Sequence, residues 1–111
     1  MELSIRGRHL ELSEPLKRYA SRRLEFAVGT FASRISGIAL SLTDVNGPRG
    51  GIDKRCVIRI VLQPLGRVFV HAMDSDAYAA IDRAATRIRS VVARKLARRR
   101  GLRHREVRLR G

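Results

Sequence analysis

The sequence predicts a single α+β domain with the element order β-α-β-β-β-α, in which two helices pack on one face of a four-stranded mixed sheet. Four segments alternate apolar and polar residues, as half-buried strands do, and two longer segments repeat apolar residues at helical spacing. The chain has 111 residues, of which 44% are apolar, so it can fill one hydrophobic core and has no room for a second.

The N-terminal part predicts a strand followed by a helix. Residues 2–6 alternate apolar and polar side chains, and Gly7 marks the predicted end of this strand. Ser13 is a good N-cap for a helix that we expect to run to about Val28, with Gly29 as its C-terminal signal. The apolar arc of this helix comprises Leu16, Tyr19, Ala20, Leu24 and Ala27.

Two side chains of this helix have predicted special positions. Arg23 falls inside the apolar arc, so we expect its stem to be buried and its charged head to reach solvent. Tyr19, like Tyr78 of the last helix, fits a packing position at the seam between helix and sheet better than a cofactor site.

Three further strands are predicted after the first helix. They cover Gly37–Val45, a segment from Cys56 to Gln63, and Arg67–Met73, and the turn-rich segment 46–51 separates the first two. Strands joined by short turns pair antiparallel. The first strand, the helix and the second strand form a right-handed crossover, so those two strands are expected to be parallel.

The C-terminal region predicts a second and longer helix. Asp74-Ser75-Asp76 supplies N-cap candidates for a helix over residues 77–100, which Gly101 is expected to end. Its apolar stripe comprises Ile81, Ala84, Ala85, Ile88, Val92 and Leu96. We therefore predict a domain of residues 1–100 and a basic tail, 101–111, that is flexible until it binds a partner. Because each strand has one strongly apolar side, both helices must cover the same face.

The charge of the chain is strongly positive and unevenly distributed. Lys and Arg number 24 against 10 acids, a formal charge of +14, and residues 83–110 hold twelve bases and a single acid. A preference for Arg, which outnumbers Lys 21 to 3, is compatible with a merely solvated face, but it does not explain the excess of bases over acids. A polyanion such as nucleic acid is the partner that this excess favours.

The bases of the last helix are predicted to form a row. At about 100° per residue, one edge of the helix, beside the buried stripe, carries Arg83, Arg87, Arg94 and Arg98. If the two helices are parallel neighbours, Lys17, Arg18 and Arg22 lie near this row and complete a two-helix basic surface.

Several classes of protein are excluded or disfavoured. No apolar run approaches the 20 or so residues of a membrane span, and the N-terminus lacks the apolar stretch of a signal peptide. The single cysteine, Cys56, fits a reducing cytoplasm, and His71 is predicted on the opposite side of the sheet from it. The three histidines lack metal-ligand spacing, and no catalytic triad, carboxylate pair or dinucleotide motif occurs. We expect a non-enzyme without cofactor, metal or small-molecule substrate.

Three segments carry a resemblance to a known family. They are Leu3-Ser4-Ile5-Arg6-Gly7, Leu12-Ser13-Glu14-Pro15-Leu16, and Asp76-Ala77-Tyr78-Ala79-Ala80-Ile81-Asp82, the last containing a Tyr-Ala-Ala-Ile-Asp motif. Over about residues 2–100 the chain resembles the bacterial hibernation-promoting factors and ribosome-associated inhibitors, also called sigma-factor modulation proteins.

The resemblance implies a fold similar to double-stranded-RNA-binding domains and a role on the ribosome. Members of the family dock on the small subunit and occupy the channel of mRNA and tRNA, so that stored ribosomes cannot start translation. The resemblance implies that its partners are the small subunit and its rRNA, and we expect the protein to be monomeric when free. Carried over by position, the RNA-binding residues are Arg18, Arg22, Arg83, Arg87, Arg94, Lys95 and Arg98.

The chain also departs from the family pattern. Phe26 stands where the family usually has a basic residue, and the loop 44–56 differs from that of the well-known short factors. The C-terminal tail is basic, whereas some relatives end in acidic residues. The chain stops short of the dimerisation domain of long-form members, so we do not expect it to pair ribosomes in that way.

The residues alone leave alternatives open. The basic helices also suit a general RNA-binding or ribosome-assembly accessory protein outside the tRNA channel, or an adaptor for an acidic protein. The loop 46–56 is either a phosphate-binding nest near Lys54 or, as we favour, a long hairpin loop in which Asp53 pairs with Lys54 or Arg55. The open face of the sheet carries Phe69, His71, Met73, Val57, Arg59 and Val61. It could stack single-stranded bases, but with one clear aromatic we favour a partly solvated or weakly self-associating face.

Overall fold

Four strands and two helices follow one another in the predicted order, with one additional short helix. The computed structural model describes residues 2–46 and 51–110, with side chains described for residues 2–46 and 51–99. The elements are β1 (Glu2–Arg8), α1 (Glu14–Val28), a 3-10 helix (Gly29–Arg34), β2 (Ile35–Asp44), β3 (Lys54–Leu62), β4 (Gly66–Asp74) and α2 (Ala77–Arg110). β2 and β3 each begin two residues earlier than predicted.

The strands form one mixed sheet in the order β1-β2-β3-β4. β1 and β2 are parallel, as the crossover through α1 requires, and the other neighbours are antiparallel. Ile5, Leu40, Ile58 and Val70 are paired in register across all four strands. Their side chains point to the helical face, where Leu40, Ile58 and Val70 are buried and Ile5 is half-buried. The predicted fold class is confirmed.

The core lies between the sheet and the two helices. α2 contacts β3, β4 and α1, whereas α1 contacts α2 and β1, so the helices lie side by side across the sheet. The predicted apolar stripe of α2 is buried along its whole length, from Ile81 to Leu96. Within the part of the chain that the structure describes, no helix is both long and apolar enough to cross a membrane.

The start of α1 is predicted correctly, but β1 is longer than expected. The Ser13 hydroxyl accepts a hydrogen bond from the backbone N–H of Leu16 at 3.3 Å and caps α1. β1 continues through Gly7 to Arg8, so the prediction that Gly7 ends this strand is wrong. A Cβ atom at Gly7 would lie 2.8 Å from Cγ of Leu12 and 2.9 Å from the carbonyl oxygen of Leu10. Glycine is required there by a close approach of the chain.

The predicted end of α1 is confirmed, whereas that of α2 is wrong. α1 ends at Val28 with Gly29 as its C-cap, although Gly29 has a right-handed helical φ of −59° and the chain continues from it into the 3-10 helix. α2 continues past Gly101 through Arg110, so its predicted end is wrong. Glycine costs a helix only about 1 kcal/mol relative to alanine, and the Leu and Arg residues that follow favour helix. The division into residues 1–100 and a flexible tail, 101–111, stays a prediction.

Candidate nucleic-acid interface

The two helices meet along a polar seam centred on Asp82. The Tyr19 hydroxyl donates a hydrogen bond to Oδ1 of Asp82 at 2.5 Å, and Nε of Arg23 lies 3.2 Å from the same oxygen. Further along, Nη1 of Arg89 donates to the carbonyl oxygen of Ala27 at 3.3 Å. Because contacts advance along both helices together, α1 and α2 run parallel. The hydrogen bond to Asp82, together with burial, raises the pKa of Tyr19.

Arg23 is held inside this seam. Besides Asp82, it reaches Oγ1 of Thr86 through Nη2 at 3.1 Å, and 25% of its side chain is exposed. The expectation that its head extends into solvent is therefore wrong, because a carboxylate on the neighbouring helix binds it. The rings of Tyr19 and Tyr78 pack edge to face at 5.0 Å between centroids. They meet at the seam between the helices, whereas the sequence predicted the seam with the sheet.

The opposite flank of α2 faces the edge strand β4. Nη1 of Arg83 donates to the carbonyl oxygen of Met73 at 3.0 Å, and its Nε lies 3.8 Å from Oδ2 of Asp74. Nη1 of Arg87 donates to the carbonyl oxygen of His71 at 2.5 Å. These two arginines thus flank the buried stripe as predicted and rest against β4.

The predicted basic row does not adjoin the basic residues of α1. Asp82 and Thr86 face α1, whereas Arg83 and Arg87 face β4, on the other side of α2. Helical spacing keeps Arg94 and Arg98 near the same flank. The structure therefore gives two separate basic strips where the sequence predicted one two-helix surface. The α1 strip comprises Lys17, Arg18 and Arg22, and the α2 strip comprises Arg83, Arg87, Arg94 and Arg98.

All seven residues that the sequence proposes for RNA binding lie outside the core. Arg18 and Arg22 are exposed on α1, and neither makes a hydrogen bond or ion pair within the described side chains. On α2, Lys95 is half-buried and the other four are exposed, namely Arg83, Arg87, Arg94 and Arg98. Nε of Arg94 donates to the carbonyl oxygen of Ser90, one turn back on its own helix, at 3.3 Å.

Sequence reasoning missed Arg89 and the role of Arg23. Both are basic residues that join the two helices through hydrogen bonds across the seam. A signal was present, because Asp82 is the only acid between residues 77 and 99 and Arg89 lies two turns after it on the same face. An arginine inside the apolar arc of α1 therefore had one carboxylate available in the first 23 residues of α2.

The acids of the helical layer are few, and most are already engaged. Asp82 is bound by Tyr19 and Arg23, and Glu14 lies 3.5 Å from Lys17 of the next turn. Arg87 contacts a backbone carbonyl, which carries no net charge, so its positive charge is uncompensated among the described residues, whereas Arg83 also lies 3.8 Å from Asp74. The outer surface of both helices is therefore suited to a polyanion.

Other chemistry has no support at the predicted positions. Cys56 is buried, burial raises the pKa of its thiol to about 12, and His71 is exposed on the other side of the sheet as predicted. Among residues 2–46 and 51–99, no three His, Cys, Asp or Glu side chains are grouped as metal ligands. The basic helices thus remain the candidate site.

The predicted pairing in the β2–β3 loop is confirmed. Nζ of Lys54 lies 2.9 Å from Oδ1 of the buried Asp53 and 3.4 Å from Oδ2 of Asp44. The hydrogen bond to Asp53 raises the pKa of Lys54. With two carboxylates beside it, Lys54 is poorly placed to bind phosphate. Residues 47–50, which belong to the alternative phosphate nest, lie outside the described residues.

Comparisons with known proteins give one family and two similar structures. The family model described as sigma 54 modulation protein / S30EA ribosomal protein matches residues 3–100. The Protein Y N-terminal domain of Thermus thermophilus is 27% identical, with a TM-score of 0.71, over 85% of this chain and 98% of that one. A ribosomal subunit interface protein from Coxiella burnetii is 16% identical, with a TM-score of 0.73, over 87% and 99% of the two chains, and this likeness shows the fold alone. No curated protein sequence matches the chain.

Proposed function

The chain belongs to the sigma 54 modulation protein / S30EA ribosomal protein family, and we propose that it is a ribosome hibernation factor. It binds the small ribosomal subunit through the basic strips of α1 and α2 and blocks the channel of mRNA and tRNA. Translation is thereby inhibited and stored ribosomes are protected. The mechanism is steric and needs no chemical step. The protein acts in the cytoplasm, and it is a monomer until it binds the ribosome.

The observation that carries the proposal is the uncompensated charge of the two helices. Arg18 and Arg22 on α1 are exposed and without partners among the described side chains. Arg87 on α2 is held against β4 by the backbone carbonyl of His71, which orients its guanidinium group while leaving its charge available, and Arg83 beside it is held by the carbonyl of Met73 and by Asp74. Each phosphate that such a group neutralises releases condensed counterions.

The separation of the two strips favours recognition of rRNA by shape. Phosphate contacts orient a protein on a nucleic acid but carry no sequence information, and A-form RNA is recognised largely through its shape. The seam between the strips is closed by contacts of Tyr19 and Arg23 with Asp82, so the two helices present the strips as one rigid unit. The protein can then contact two neighbouring rRNA backbones at a fixed separation.

Sedimentation with purified small subunits tests ribosome binding. We expect the protein to co-sediment at low salt and to be released as salt rises. With about 6–10 phosphate contacts, affinity should fall about 10³–10⁵-fold between 50 and 200 mM salt. Protein that stays in the supernatant at the lowest salt would contradict the proposal.

Competition with tRNA and mRNA tests occupation of the channel. Small subunits preloaded with both ligands should bind the protein much more weakly than empty subunits, because the site is already filled. Undiminished binding to loaded subunits would instead identify a general RNA-binding or assembly accessory protein that uses the same basic helices outside the channel.

A further inference from the structure

The face of the sheet opposite the helices contains a shallow groove. A depression of about 670 Å³ crosses all four strands on this face. One row of residues paired in register spans it, namely Ser4, Ala39, Arg59 and Phe69. The floor on β1 and β2 is formed by small residues, while larger side chains on β3 and β4 form one wall. A second row, Glu2, Gly37, Val61 and Arg67, lies beside it, so the sheet offers a trough two residue rows wide with an aromatic ring and guanidinium groups at one side.

The aromatic ring of this wall is uncovered. Phe69 is 67% exposed, whereas its chain neighbours Val68 and Val70 are buried in the core. Across the strand it is paired with Arg59, and His71 follows two residues later on the same face. A flat apolar ring beside a guanidinium group is the arrangement on which proteins stack unpaired bases.

The same face is strongly cationic. Alternation places five arginines on it, namely Arg6, Arg8, Arg55, Arg59 and Arg67. All five are exposed, and within the described residues none of their side chains makes a hydrogen bond or an ion pair. Glu2 is the only acid that the described strands place on this face. The net charge of this face is therefore complementary to a polyanion, and it does not depend on the basic residues of α1 and α2.

We propose that the open face of the sheet binds single-stranded nucleic acid, with a base stacked on Phe69 and the adjoining phosphates bound by Arg59 and Arg67. A duplex does not fit this geometry, because its bases are already stacked on one another. A second copy of the chain is disfavoured, since it would oppose five arginines with five more. The proposal goes beyond binding of the subunit by the helices and does not depend on it.

Fluorescence anisotropy with a labelled ten-nucleotide oligouridylate tests this site. Phe69→Ala should weaken binding about 5- to 150-fold, the range that stacking of one base implies. Phe69→Tyr should bind as the wild type does, whereas Phe69→Leu should be weakened, because it keeps an apolar side chain without a ring. Phe26→Ala is the matched control, since Phe26 is 79% exposed on α1, and it should change affinity less than about twofold.

Amide chemical shifts locate the bound strand. With the oligouridylate, the largest shifts are expected in β3 and β4, around Arg59 and Phe69. Equal effects of Phe69→Ala and Phe26→Ala, shifts confined to α1 and α2, or preference for a ten-base-pair duplex would overturn the proposal. So would equally effective competition by a ten-residue polyglutamate, because charge alone would then explain binding.

Two further experiments distinguish RNA from DNA as the ligand of the sheet and separate this proposal from subunit binding by the helices. Oligodeoxyuridylate of the same length, which lacks only the 2′-hydroxyl groups, replaces the RNA strand, and Phe69-dependent binding of either strand supports the site and identifies the preferred sugar. Co-sedimentation of Phe69→Ala with small subunits reports on the helices, because this variant removes the sheet site and leaves α1 and α2 unchanged. Failure of the sheet site therefore leaves subunit binding intact, and failure of subunit binding leaves the oligonucleotide result interpretable.

Discussion

The two flanks of α2 hold their arginines in opposite ways. Toward α1, Arg23 meets the carboxylate of Asp82, and its charge is cancelled inside the seam. Toward β4, Arg87 donates to the backbone carbonyl of His71 and pairs with no acid among the described residues, so its charge persists. A guanidinium group can thus be fixed in position with or without being neutralised. The first flank is suited to joining the helices, and the second is suited to attracting phosphate.

The largest expected effect is on the β4 flank. Arg87→Glu combined with Arg94→Glu should lower affinity for small subunits at least about 100-fold at low salt and reduce the salt slope by about two, because two phosphate contacts become repulsions. Both residues are exposed, so the free energy of unfolding should change by less than about 1 kcal/mol. Co-sedimentation and thermal unfolding measure the two quantities.

Arg34→Glu is the control for charge alone. It changes the net charge by the same amount as Arg87→Glu or Arg94→Glu alone, but at an exposed position of the 3-10 helix. We expect its effect on affinity to be below about threefold. An effect as large as that of Arg87→Glu would show that net charge, and not the basic strip, governs binding.

An intermediate effect is expected at the seam. Asp82→Ala removes the partner of both Tyr19 and Arg23 and should destabilise the protein by about 1–2 kcal/mol, since these groups are partly solvated. The melting temperature should then fall by roughly 5–15 °C. Glu25→Ala on α1 removes the same charge from an exposed position and should leave the melting temperature within about 2 °C. Equal melting temperatures for the two variants would mean that the Asp82 contacts do not join the helices.

The smallest expected effect is a dependence on alkaline pH. The hydrogen bond to Asp82 raises the pKa of Tyr19 above the ordinary value of 10.0. The bond therefore contributes its full stability below about pH 10, and this contribution is lost as the pH rises through the higher pKa of the folded state. Titration of tyrosinate absorbance should show a late step that Tyr19→Phe removes and Tyr78→Phe keeps. Persistence of that step in Tyr19→Phe would assign it to another group.

Much of the fold could be predicted because it depends on local pattern. Alternation in β2, β3 and β4 and the apolar stripe of α2 correctly predicted which residues are buried, whereas Leu3, Ile5 and Tyr19 are only half-buried. The right-handed crossover predicted the parallel pair. The family resemblance drawn from three short segments is confirmed by the match over residues 3–100. The end of α1 at Gly29 was predicted correctly, but the end of α2 was not, because Gly101 can continue a right-handed helix at small cost.

The arrangement of the site could be predicted only in part. Helical periodicity gives the angle between Arg83 and the buried apolar stripe of α2, but it does not say which flank of α2 contacts α1. That depends on the order of strands, which places α1 toward β1 and α2 toward β4. The contact of Arg23 with Asp82 joins residues 59 apart in the sequence, so no local pattern reveals it. The RNA-binding roles of the seven basic residues stay a prediction.

The hydrogen bonds from α2 to β4 also bear on solubility. β4 is an edge strand, and an edge strand with free carbonyl oxygens can add a strand from another molecule and start aggregation. Arg83 and Arg87 bind the outward carbonyls of Met73 and His71 along this border. Another polypeptide would have to displace both guanidinium groups before it could extend the sheet, so the charges proposed to attract RNA also keep neighbouring copies of the protein from joining edge to edge.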